Sequence, residues 1–75
     1  YVGGIADEGL VDAVLQELEQ DASTNGLEIE VTSYEGVVRL RGKVQDLEDA
    51  ENAEAVAARV PGVREVLDEL ELRAG

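Results

Sequence analysis

The spacing of apolar residues switches between two periods along this chain, and the order of those switches leaves few possible folds. Leu10, Val11, Val14, Leu15 and Leu18 recur at helical spacing, with Asp12, Gln16, Glu17, Glu19 and Gln20 opposite them. From Leu27 to Tyr34 the period drops to two. Leu27, Ile29 and Val31 point one way and Glu28, Glu30 and Thr32 the other, which predicts a strand with one buried face. Val37 to Val44 repeats the pattern, with Val38, Leu40 and Val44 set against Arg39, Arg41 and Lys43. Leu47, Ala50, Ala53, Val56, Ala57 and Val60 return to helical spacing. Val63 to Leu72 then predicts a last strand with Val66, Leu70 and Leu72 on one face. The punctuation agrees. Asn25-Gly26, Glu35-Gly36 and Pro61-Gly62 mark turns, Asp7 with Glu8 opens the first helix, and Asp46 with Asp49 resembles a capping box for the second. Tyr1 to Ala6 reads as a loose lead-in, so residues 7–73 are expected to form a single domain.

Charge sets the order of the strands. A two-residue turn at Glu35-Gly36 places Glu30 opposite Arg41, Glu28 opposite Lys43 and Val31 opposite Leu40. Three of the six basic residues, Arg39, Arg41 and Lys43, stud the second strand, while the third carries Glu65, Glu69 and Glu71. A central second strand pairs these charges with both neighbours. The expected fold is therefore α+β: an α-β-β-α-β two-layer sandwich with a three-stranded mixed sheet in order one-two-three. Both helices cover one face, and a right-handed crossover joins the parallel pair.

The chain has 75 residues and neither cysteine nor histidine, methionine, tryptophan or phenylalanine. Its core must come from Leu, Val, Ile and Ala, without disulfides, close to the lower size limit for a self-standing fold. Its net charge of −12 opposes nucleic-acid phosphates and anionic lipid headgroups. No apolar run approaches the roughly 20 residues of a membrane span. The sequence starts at Tyr1 rather than Met, which suggests a domain of a longer chain.

Catalysis lacks candidates. Without His or Cys, only solvated carboxylates, Lys43, Ser23 and Ser33 remain, so no catalytic residue, cofactor or metal site is expected. Glu48, Asp49 and Glu51 could in principle meet a hard cation, but no calcium-loop pattern is present, and a solvated helix face is the better reading. The Arg39-Arg41-Lys43 row reads as a neutralised charge ladder rather than a phosphate strip, and the phosphate-clamping G-x-x-G loop of KH-type RNA-binding folds is missing.

The stretch Gly36-Val37-Val38-Arg39-Leu40-Arg41-Gly42-Lys43-Val44 resembles the G-x-V-x-L-x-G-x-V core of the BON domain, a bacterial family found in osmotically induced and nodulation-related proteins. Ala53, Ala57, Val60, Gly62, Val63 and Val66 look like that family's A-x-x-x-A-x-x-V-x-G-V-x-x-V stretch. Asp7, Leu10, Val14, Leu18, Ile29 and Val31 extend the likeness over nearly the whole chain. The resemblance implies a non-enzymatic attachment role toward phospholipid or other components of the bacterial envelope, with periplasmic and stress-induced relatives. One potassium-binding relative adds cation sensing as a weaker alternative. Two departures stand out: Asp68 occupies a position where the family often has Asn, and the first helix has no basic cluster or aromatic anchor. The expected partner is accordingly a protein or envelope component, with direct phospholipid contact as the alternative. The isolated domain is not expected to bind anionic vesicles at physiological salt.

One surface is singled out for a partner. Alternation sets Tyr34 and Val37 side by side on the exposed face of the sheet, and Leu67 reaches the same end if Asp68 points inward. An inward Asp68 would be costly unless its carboxylate finds a main-chain or helix-end partner. A bulge turning Leu67 inward is the competing arrangement.

Overall fold

The computed structural model describes residues 8–73, so the lead-in and the Asp7 cap lie outside the described residues. The elements run α1 (Glu8–Gln20), β1 (Ile29–Tyr34), β2 (Val37–Val44), α2 (Leu47–Ala58) and β3 (Glu65–Leu72). They form the expected sheet, order β1-β2-β3, with β1 antiparallel and β3 parallel to β2. Pairing sets Glu30 against Arg41, Val31 against Leu40 and Tyr34 against Val37. β1 starts at Ile29 rather than Leu27, so the Glu28–Lys43 pair falls just outside the ladder. β3 likewise starts at Glu65, because Val63 still belongs to the turn and donates its N–H to the Val60 carbonyl at 3.1 Å.

The core lies between the helices and one face of the sheet. Val14 and Leu18 of α1, Val31 of β1, Val38 and Leu40 of β2, and Ala53, Val56 and Ala57 of α2 meet there, joined by Val60. Leu40 is fully enclosed at the centre of the sheet; truncation to Ala there removes packing of the kind that costs about 2–5 kcal/mol. The small side chains Ala53 and Ala57 are what let α2 approach the sheet closely. Asp46 caps α2 by accepting the Asp49 N–H at 3.0 Å, the forward half of a capping box.

Two apolar positions depart from expectation. Leu47 and Leu72 are 62% and 56% exposed rather than buried. Leu47 lies in the first turn of α2, and Leu72 ends a strand that has a neighbour on one side only. Asp68 departs too. Its register with buried Leu40 puts it on the helix-covered face, as the alternation requires, yet it is exposed because β3 is an edge. Its carboxylate accepts the Leu70 N–H at 3.0 Å, so the charge has both water and a main-chain donor. Leu67 consequently points outward, and no bulge interrupts the pairing from Val37–Glu65 to Val44–Leu72.

Candidate functional site

The open face of the sheet carries Arg39, Arg41 and Lys43 down its middle. The expected ladder is one-sided. Glu69 holds both arginines, Arg39 Nε at 3.0 Å and Arg41 Nε at 3.6 Å, so Arg41 leans toward β3 rather than toward its register partner Glu30. Both pairs are solvated and contribute little, ~0–1 kcal/mol each. A charged depression follows further along, lined by Glu30, Arg41, Lys43, Glu69 and Glu71.

Toward the β1–β2 turn this face becomes apolar. Tyr34, half exposed, stands beside Val37, and Leu67 lies next to Arg39 on β3. The three side chains line one depression of about 310 Å³, with Thr32, Arg39 and Arg64 also on its walls. The turn shapes it. Glu35 and Gly36 both have positive φ, 52° and 82°, as a primed two-residue hairpin turn requires. The Gly36 carbonyl accepts the Arg64 N–H at 2.7 Å, which ties the turn to the entry of β3. A side chain on Gly36 would meet the Arg64 stem at 2.8 Å, so glycine lets that arginine lie across the turn and bring its guanidinium to the Glu35 carbonyl, 3.4 Å away. The structure thus gathers the sequence-predicted trio of Tyr34, Val37 and Leu67 beside Arg39 of the same face, and adds the Arg64 guanidinium, which strand alternation alone does not assign to the groove.

Elsewhere the hydroxyls are committed or enclosed. Ser23 donates to Asp21 through both its Oγ and its N–H, and Ser33 is buried. Asp21 also takes Arg59 Nη2 at 2.8 Å. The Ser23 hydroxyl, then its N–H, then Arg59 lower the Asp21 carboxyl from its ordinary 3.8 to about 2. Thr24, nearly fully buried, donates its hydroxyl to the Leu18 carbonyl at 2.7 Å and closes the end of α1. Among the described residues no group of three or more carboxylates is placed to hold a metal ion, and no helix is long and apolar enough to cross a membrane.

The arrangement therefore offers a surface for contact, with no assembled nucleophile, base or metal ligand set among the described residues. Comparison with protein families gives a match to the BON domain over residues 6–74. The chain belongs to the BON domain family. A comparison with curated proteins gives no match. At the level of the family, BON domains are non-catalytic modules that bind phospholipid or envelope components. The family's glycine-bearing stretch has a physical explanation in this chain. A Cβ on Gly42 would stand 2.6 Å from the Glu28 carbonyl oxygen, and its φ is 145°, so the L-x-G-x-V segment needs glycine where β1 begins its pairing.

Proposed function

We propose that this BON domain is a docking module that attaches its parent chain to a protein partner of the bacterial envelope, through the groove between Tyr34, Val37 and Leu67. The observation that carries the reading is the change in character of the open face. Most of it is occupied by charge pairs, and only at the turn end do three apolar side chains share a depression. Tyrosine suits such a surface, being large, stiff and polar at its tip. Two guanidiniums border the groove on a molecule of net charge −12, Arg39 already held by Glu69 and Arg64 resting on the Glu35 carbonyl, with Glu35 itself also on the wall. A partner that presents an apolar side chain next to an acidic or carbonyl oxygen fits both features.

Direct phospholipid contact is the second reading, favoured by the same Arg64 margin. Parallel assays of wild type and the Tyr34→Ser/Leu67→Ser variant separate the two. One assay is capture from source-cell extract and the other is co-sedimentation with anionic vesicles at physiological salt. Docking to a protein predicts that the folded variant loses capture and that neither form sediments with vesicles. Unchanged capture by a folded variant removes the groove from consideration. Salt-sensitive vesicle binding lost in the variant transfers the groove to lipid.

A further inference from the structure

We infer that Asp68 guards the free edge of β3 against addition of a strand from a second copy of this chain. The parity of main-chain bonds identifies that edge. The Glu65 N–H reaches the Gly36 carbonyl and the Arg73 N–H reaches Val44, so odd-numbered residues of β3 turn their main-chain groups toward β2. Val66, Asp68, Leu70 and Leu72 turn theirs to the open side, over an eight-residue strand without proline or bulge. Such an edge is a template for pairing, and its apolar even-numbered side chains add to the attraction. Leu72 is already largely exposed.

A second copy is the occupant that geometry favours, because two β3 edges can meet antiparallel about a twofold axis with each strand offering the same groups. Even-numbered residues must then stand opposite one another. The registers nearest full overlap set Asp68 against either the other copy's Asp68 or its Leu70. The first brings like charges together, and the second places a carboxylate against an apolar side chain; both oppose pairing. Asp68 also acts within its own chain, since its carboxylate occupies the Leu70 N–H at 3.0 Å, a donor that an added strand would need. An inward-facing charge that satisfies its own edge is a recognised way of blunting an exposed strand.

The test replaces Asp68→Val and follows mass by light scattering in about 0.15 M salt, where screening over roughly 8 Å damps the net charge of −12 but leaves repulsion between two directly opposed Asp68 carboxylates in force. The expected result is a doubled mass for the variant, a monomeric wild type, and slower hydrogen exchange at the Leu70 amide of the variant as the dimer forms. Asp68→Ala carries the same test should the valine variant fail to fold. A folded variant that stays monomeric overturns the inference, as does a dimer whose Leu70 amide exchanges as fast as in the monomer, or a wild type that dimerises equally.

Discussion

Glu35 holds a φ of 52°, a conformation that costs an L-residue with a long side chain about 1 kcal/mol and costs asparagine much less. Glu35→Asn is therefore expected to stabilise the domain by about 0.5–1 kcal/mol, a rise in melting temperature of roughly 2–8 °C for a chain of this size. Thermal denaturation by circular dichroism checks this. Gly42→Ala goes the other way. The added methyl meets main-chain oxygen at 2.6 Å rather than a yielding side chain, so a loss of about 2–3 kcal/mol in urea unfolding is expected. The turn itself was legible from Glu35-Gly36 between two alternating runs, and it fixed the register correctly. Where each charge would go was not legible. Glu30 faces Arg41 by register, but Arg41 turns to Glu69 because that one carboxylate reaches two guanidiniums, and choices among solvated rotamers leave no trace in spacing. Thr24 was missed as well, although Asp21-Ala22-Ser23-Thr24 after a helical run carries the signal of side chains that bond to nearby main chain.

At the scale of elements, the period changes identified both helices and all three strands, since each buries one face against the same core. Their ends were less legible. Leu47 and Leu72 continue the right periodicity, yet burial depends on what lies above them, and the first turn of α2 and the end of an edge strand lie beyond that cover. The contact least visible in the sequence is the tie between the ends of α1 and α2, made by Asp21 and Arg59 across 38 positions. It gives the domain a pH signature. The folded pKa of Asp21 is depressed from 3.8 to about 2, so the stabilisation it provides is present above pH 3.8 and disappears as pH falls through 2. Asp21→Asn is accordingly expected to unfold more readily than wild type at neutral pH. Melting temperatures of the two should converge between pH 4 and pH 2, whereas a constant offset across that interval would assign the effect to something other than the ionised carboxylate.

Across the whole molecule, charge is sorted by layer. The two helices carry eight carboxylates, Glu8, Asp12, Glu17, Glu19, Glu48, Asp49, Glu51 and Glu54, and no basic residue, whereas the open sheet face is mixed, with Arg39, Arg41 and Lys43 set among Glu30, Glu69 and Glu71. Long-range repulsion of anions is thus strongest over the helices and weakest over the sheet, and the groove at Tyr34 lies on the sheet side with Arg64 beside it. The trio of Tyr34, Val37 and Leu67 could be read from alternation and register, whereas Arg64 could not, because it reaches the groove by lying across Gly36 from outside the strand. On the proposed reading, partners meet this domain at the groove and not at the helix layer. A photoreactive phenylalanine analogue tests it when placed at Tyr34, and separately at Glu17 on the exposed side of α1, in the protein expressed in its source cells. Docking at the groove predicts a discrete protein adduct from position 34 and none from position 17. Adducts confined to position 17, with position 34 silent, would contradict it.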